Sequence, residues 1–163
     1  MFKTYRTGAA GALLDEYEKI INEFLGAIND ISNDELVTIV DKQTADLNCQ
    51  SVQSILAHVV RAVYAYAIYI RNIRGAEMDK PAIKFQLSVN DYQSDLKNAF
   101  AFTVETFENI NDNELEEPDN SKKIMTSWGQ SYDIEQIMEH AIVHILRHKR
   151  QIEKFKLELR KKE

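Results

Sequence analysis

Apolar residues recur every three or four positions along four separate stretches of this chain, a spacing that places them on one face of an α-helix. The stretches cover about residues 9–31, 51–75, 88–110 and from 133 towards the C-terminus. Only five glycines and two prolines occur among 163 residues, too few for the many turns of a sandwich or barrel of short strands. We therefore predict an all-α fold, a four-helix bundle that forms a single domain over residues 1–163.

Side chains that can accept from free backbone N–H groups predict where the helices begin. Ser51 and Asp133 stand directly before the second and last stretches, and Ser88 or Asn90 stands before the third. Ser32 is placed to cap a short turn after the first stretch. Residues 111–121 are polar and predict a loop, and residues 124–128 predict a short extended piece that ends at Gly129.

The charge and the apolar runs exclude several classes of protein. A net charge of −6 argues against nucleic-acid binding, which needs clustered Lys and Arg. The longest apolar run, residues 62–70, is about half the length that a bilayer-spanning helix requires. The single cysteine, Cys49, cannot form an internal disulfide, and residues 1–6 lack the apolar run of a secretory signal. We expect a cytoplasmic protein with neither a membrane nor a nucleic-acid partner.

Three of the four histidines repeat every four residues in the last predicted helix, so each is turned about 40° from the one before. On this reckoning His148 falls inside the apolar stripe, His144 at its edge and His140 further towards solvent. His58, in the second helix, also borders the inward face. Two imidazoles four residues apart can chelate one ion, and a third from another helix can complete one face of its coordination sphere. The alternative is that such histidines are core residues bonded to carbonyl or hydroxyl groups.

Other side chains could belong to a site near these histidines. Tyr69 lies close to the His58 face of its helix and can direct its hydroxyl towards them. Trp128 and Tyr132 precede the last helix and either line a pocket or cover the core. Cys49 is a weaker candidate, and we expect it to be a half-buried bystander.

Two segments resemble the DinB-like family of four-helix bundles, which includes the YfiT-type metal-dependent enzymes. Residues 51–59 (SVQSILAHV) are similar to the start of that family's second helix, which ends in its first metal-binding histidine. Residues 139–152 (EHAIVHILRHKRQI) are similar to its last helix, where an H-x-x-x-H pair precedes Arg-Gly-Gln. This chain departs from that pattern in having Lys149-Arg150-Gln151. The order of the helices matches along nearly the whole chain.

The resemblance implies that His58, His144 and His148 bind a divalent metal ion, with zinc or nickel as the expected cofactor. His140 stands where the family sometimes has a further histidine that need not bind. The resemblance also implies a homodimer and a small-molecule substrate, in some family members a low-molecular-weight thiol such as bacillithiol.

Two classes of function follow from these expectations. The first is a metal-dependent enzyme, a small-thiol transferase or a metal-assisted hydrolase, in which the ion lowers the pKa of a bound thiol or water. The transferase is slightly favoured because an ionised thiol needs no separate base and no carboxylate is predicted beside the histidines. The second class is a non-catalytic, stress-linked module for metal binding or dimerisation.

Overall fold

The computed structural model describes residues 4–161, so the first three residues and the last two lie outside it. Its long helices are α1 (Gly8–Ile28), α3 (Val52–Ile73), α4 (Val89–Thr106) and α5 (Ile134–Arg160). Between them lie a short helix α2 (Asn33–Val37), a hairpin of β1 (Ile124–Met125) and β2 (Ser131–Tyr132), and 3-10 turns at Leu47–Cys49, Asp112–Glu114 and Asn120–Lys122. The predicted all-α class is confirmed for the described residues.

The predicted N-terminal caps are confirmed. The side chains of Ser51, Ser88 and Asp133 each accept a hydrogen bond from the backbone N–H three residues on. Ser32 caps α2 in the same way. The predicted C-terminal ends were less accurate, since α1 stops at Ile28 and α4 at Thr106, although apolar residues continue beyond both. A residue just beyond the end of a helix can still place an apolar side chain against the core. The apolar pattern therefore overestimates the length of the helix.

The predicted extended piece is a strand of two residues, and its partner strand was not predicted. Ile124 pairs with Tyr132 and Met125 with Ser131, in antiparallel register. Gly129 adopts a φ of +88° in the turn between them, a conformation that favours glycine. The hairpin leads directly into α5.

Ion pairs show that α1 and α5 run parallel. Lys149 contacts Glu23 at 3.0 Å, and Lys156, further along α5, contacts Asp30 just beyond the end of α1. The contacting positions therefore advance in the same direction along both helices. Parallel helices cannot be joined by a short turn, so the chain passes through the other helices of the bundle between α1 and α5.

The other two long helices run the opposite way. The hydroxyl of Tyr92 in α4 donates to the carbonyl of Gln53 at 3.3 Å. At the far end of the pair, Arg71 donates to Thr106 at 2.7 Å, so α3 and α4 are parallel to each other. The ring contacts between α3 and α5 described below advance in opposite directions along the two helices. The bundle therefore has an up-down-down-up order, with α3 and α1 each packed between α4 and α5.

A long connection, residues 74–88, returns along α3 so that α4 can start at the same end. Its Lys80 contacts Tyr69, the carbonyl of Pro81 accepts from Arg61 at 2.9 Å, and the carbonyl of Gln86 accepts from Gln53 at 2.9 Å. These partners descend α3 in order. The connection thus runs antiparallel to α3 along its surface.

One continuous apolar core fills the space between the helices. All four long helices contribute buried residues to it, among them Phe24, Ile55, Leu96 and Ile145. In the part of the chain that the structure describes, no helix is both long and apolar enough to cross a membrane.

Candidate metal centre

Three histidines from two helices meet at the boundary between α3 and α5. The Nε2 atom of His144 lies 2.9 Å from Nε2 of His58 and 3.2 Å from Nε2 of His148. One nitrogen of each ring lies within 4.8 Å of the other two. We call these residues the histidine triad. The structure brings together the three residues that the resemblance implied, and their role as metal ligands stays a prediction.

The helix geometry explains why these rings face each other. His144 and His148 stand on successive turns of α5, while His58 comes from the antiparallel helix α3, whose start is fixed by the reciprocal bonds of Ser51 and Ser54. The exposed fraction of His148 is only 4%, and the other two triad residues are half-buried. This order of burial agrees with the angular positions read from the sequence.

The separation of the nitrogens fits a common metal ion. Two ligand atoms bound about 2.0–2.1 Å from a tetrahedral zinc ion lie about 3.3 Å apart. The observed contacts of 2.9 and 3.2 Å are close to that value, and the donors are imidazole nitrogens, which suit zinc, nickel, copper and iron. The three histidines could therefore bind a metal ion. Three protein ligands would leave room for a small molecule or water.

Burial and nearby cations keep the triad neutral. Burial is the main cause that lowers the pKa of His148 to about 4, and that of His144 to about 2 with added repulsion from the neighbouring histidines. The pKa of His58 is lowered by burial, an effect that Asp46 opposes and Arg61 reinforces. Neutral imidazoles keep a lone pair for a metal ion at neutral pH.

The two α5 histidines of the triad differ in what their second ring nitrogen contacts. Nδ1 of His148 lies 3.1 Å from Oε1 of Gln151, one turn further along the helix. Nδ1 of His144 is buried without a hydrogen-bond partner among residues 4–161. Of these two rings, that of His148 alone therefore has a side-chain partner among the described residues that can select its tautomer.

His140 lies outside the triad, in an aromatic group beside it. Its ring stacks on Trp128 with centroids 4.7 Å apart, and its centroid is 6.5 Å from that of His144. Tyr66 packs edge-on against His140, His144 and Trp128, and Tyr132 packs against Trp128 and His140. Burial lowers the pKa of His140. Trp128 and Tyr132 thus pack against His140, and their role in lining a pocket stays a prediction.

The hydroxyl of Tyr69 is hydrogen-bonded to groups outside the triad. The oxygen accepts hydrogen bonds from Lys80 and, at 2.7 Å, from the backbone N–H of Ser127. Burial alone would raise the pKa of Tyr69, but these donors outweigh it, so the pKa is lowered. Tyr69 therefore joins α3 to the connection 74–88 and to the hairpin.

Sequence reasoning missed two residues near the triad and misjudged a third. Asp46 precedes the 3-10 turn, and its charge opposes the lowering of the pKa of His58 and His148 that burial causes. Nothing in the sequence distinguishes it from other loop carboxylates. Gln151 could have been found, because a residue three positions after a histidine shares its helix face. Cys49 is buried and not half-buried as expected, and its thiol donates to Asp46 at 3.4 Å.

An acidic cavity lies on the surface away from the triad. It has a volume of about 780 Å³ and its lining includes Asp112, Glu116, Glu117, Glu135 and Glu139. None of the triad histidines contributes to it.

Compared with known proteins, the sequence matches no family model and no curated protein.

Proposed function

We propose that this chain is a metal-dependent enzyme of the DinB-like type, a small-thiol transferase that works at the histidine triad. The observation that carries the proposal is the convergence of three neutral imidazoles from two antiparallel helices. The two sequence segments that resemble the DinB-like family contain these same histidines. The up-down-down-up order of the helices is compatible with that resemblance.

Zinc or nickel is the proposed ion, because both accept imidazole ligands and leave a position for a further ligand. A bound divalent ion lowers the pKa of a coordinated thiol or water and so supplies a nucleophile at neutral pH. The triad residues would hold the ion, while Tyr66 covers the His144 ring on one side. No carboxylate hydrogen-bonds to the triad within residues 4–161, which favours a thiol over a water molecule that needs a base.

Metal binding by variants tests the first half of the proposal. Untagged protein should retain about one equivalent of zinc or nickel in elemental analysis after dialysis. His144→Gln should weaken the affinity by more than the about 10–100-fold that loss of an outer-shell partner costs, since it removes the central ligand of three. His140→Gln is the matched control, because it lies on the same helix face but outside the triad, and it should bind as the wild type does. Equal loss in both variants, or no binding to the wild type after incubation with either metal, would contradict the proposed centre.

Thiol binding tests the second half. Protein loaded with cobalt(II) should develop a thiolate-to-cobalt charge-transfer band when cysteine or 2-mercaptoethanol is added, and His144→Gln should not. A metal-loaded protein whose spectrum no small thiol changes would instead support the non-catalytic alternative, a metal-binding or dimerisation module. Light scattering on the same samples would show whether metal affects association.

A further inference from the structure

The 3-10 turn before α3 brings a carboxylate and a thiol next to the last histidine of the triad. Asp46 caps this turn by accepting from the backbone N–H of Asn48 at 3.0 Å. Its other carboxylate oxygen lies 3.4 Å from Sγ of Cys49, whose exposed fraction is 7%. An ionised carboxylate can only accept hydrogen bonds. The Cys49 thiol must therefore donate to Asp46, which leaves its sulfur lone pairs free to accept.

The amide of Gln151 lies between this thiol and the triad. A side-chain interaction with Gln151 opposes the rise that burial causes in the pKa of Cys49, which is the effect of an amide NH₂ group directed towards the sulfur. The amide oxygen is then the atom that remains for His148, and Oε1 lies 3.1 Å from Nδ1 of that ring. The orientation of the amide thus follows from its two neighbours.

We propose that Gln151, oriented by Cys49 and Asp46, is a positioning residue that holds His148 in the Nδ1–H tautomer. An amide oxygen can only accept, so Nδ1 must carry the proton and Nε2 must present its lone pair to His58 and His144. This inference rests on the proposed function, because the lone pair has a use only if the triad binds a metal. It goes beyond that function by assigning work to three residues that are not ligands.

The direction of the hydrogen bonds between Asp46 and His148 is set by the Asp46 carboxylate, which can only accept. The carboxylate accepts from the thiol, the thiol sulfur accepts from the amide, and the amide oxygen accepts from the imidazole. An outer hydrogen bond of this kind fixes ring orientation and increases the basicity of the ligand nitrogen, and its loss costs about 10–100-fold in metal affinity. Nδ1 of His144 has no such partner among the described residues. The arrangement therefore orients His148, and not His144, before a metal ion binds.

The tautomer can be measured without any metal. Long-range ¹H–¹⁵N spectra of the metal-free protein should show His148 protonated at Nδ1. Gln151→Leu should convert this signal to a mixture of tautomers, whereas Gln151→Glu, which keeps an acceptor oxygen, should leave Nδ1 protonated. Lys154→Leu, an exposed change on the same helix, should leave the His148 signals unchanged. An Nε2–H tautomer in the wild type, or no change in Gln151→Leu, would overturn the inference.

Metal affinity provides the second readout. Zinc competition titrations should show binding about 10–100-fold weaker in Gln151→Leu and wild-type affinity within about threefold in Gln151→Glu. Cys49→Ala removes the thiol beside the Gln151 amide but keeps the amide oxygen that accepts from His148, so it should cause a smaller loss of zinc affinity. This variant also tests the inference if Gln151→Leu does not fold. If the wild type binds no metal, the proposed function fails while the spectra still decide the tautomer. Equal affinities in the wild type, Gln151→Leu and Cys49→Ala would contradict the positioning role.

Discussion

Two buried tyrosines show how the same hydroxyl can have opposite effects on stability. Tyr17 and Tyr92 are 0% and 1% exposed. The hydroxyl of Tyr17 has no hydrogen-bond partner among the described residues. That of Tyr92 accepts from the N–H of Gln86 at 3.0 Å and donates to the carbonyl of Gln53 at 3.3 Å.

We expect Tyr17→Phe to stabilise the protein by about 1 kcal/mol, because an unsatisfied buried hydroxyl is removed. Tyr92→Phe should lower the free energy of unfolding by about 1–2 kcal/mol, because two backbone groups lose their partner. Urea unfolding of both variants at neutral pH measures the difference. Destabilisation of similar size in both would mean that the Tyr17 hydroxyl is satisfied in solution.

The triad should make the metal-free protein sensitive to acid. The pKa of His148 is lowered to about 4 and that of His144 to about 2, whereas both are near 6.5 in an unfolded chain. Below pH 6.5 the unfolded state therefore binds protons that the folded state does not, so stability falls as the pH falls. The window from about 6.5 to 5 isolates this effect, since carboxylates ordinarily titrate lower.

Urea unfolding between pH 6.5 and 5 tests this. The wild type should lose stability over that interval, and a His144→Gln, His148→Gln double variant should show a shallower slope. Bound zinc should steepen the dependence, since protons compete with the ion for the same nitrogens. A flat profile for the wild type would show that the histidines titrate normally in the folded protein.

At the scale of the elements, the start of α3 is fixed by a buried pair of serines. The Ser51 hydroxyl accepts from the N–H of Ser54 at 3.1 Å, and the Ser54 hydroxyl accepts from the N–H of Ser51 at 3.0 Å. Both residues are buried. Because His58 follows on the same helix, this cap also sets the position of a triad ring.

Ser51→Ala should reduce the free energy of unfolding by about 1 kcal/mol through loss of the cap. It should also weaken zinc binding modestly, since the first turn of α3 becomes free to fray. Ser94→Ala is the control, because Ser94 is exposed within α4 and its hydroxyl only returns to the carbonyl of Asn90. Urea midpoints and zinc titrations of the two variants check both effects. Equal destabilisation would show that the cap adds nothing to α3.

At the scale of the whole molecule, a network of salt bridges connects the C-terminal end of α5 to the region after α1. Arg160 contacts both Asp30 and Glu35, and Lys156 also contacts Asp30. Hydrogen bonds from Lys156 and Arg160 lower the pKa of Asp30 to about 2, and those from Arg160 and Ser32 lower the pKa of Glu35 to about 2. Asp30 and Arg160 are exposed to solvent, whereas Lys156 and Glu35 are half-buried, so salt should screen the contacts of Arg160 with Asp30 most strongly.

Arg160→Gln should lower the melting temperature at low ionic strength, by a change in stability of less than about 1 kcal/mol. Most of the difference from the wild type should disappear in about 1 M salt, where the Debye length is about 3 Å. Lys154→Gln, an exposed change on the same helix, is the control. A salt-independent difference would mean that Arg160 acts through packing and not through charge.

The sequence by itself determined the number of long helices, the N-terminal caps of α3, α4 and α5, and the faces on which the histidines stand. These features are local, because the 3.6-residue period fixes the direction of each side chain around its own helix axis. That is why the burial of His148 could be predicted from Ile137 and Ile152 on the same helix. The ends of α1 and α4, and the strand that pairs with β1, depend on competing contacts and were missed.

Only the tertiary structure decided which helix lies opposite α5 and in which direction it runs. A helical period says nothing about the neighbour, so the 2.9 Å approach of His58 to His144 follows from the antiparallel packing of α3 on α5. The same holds for Cys49, whose interaction with Gln151 joins the turn before α3 to α5. Residues far apart in sequence meet through the core that all four helices share, and the burial of that core is a property of the whole fold.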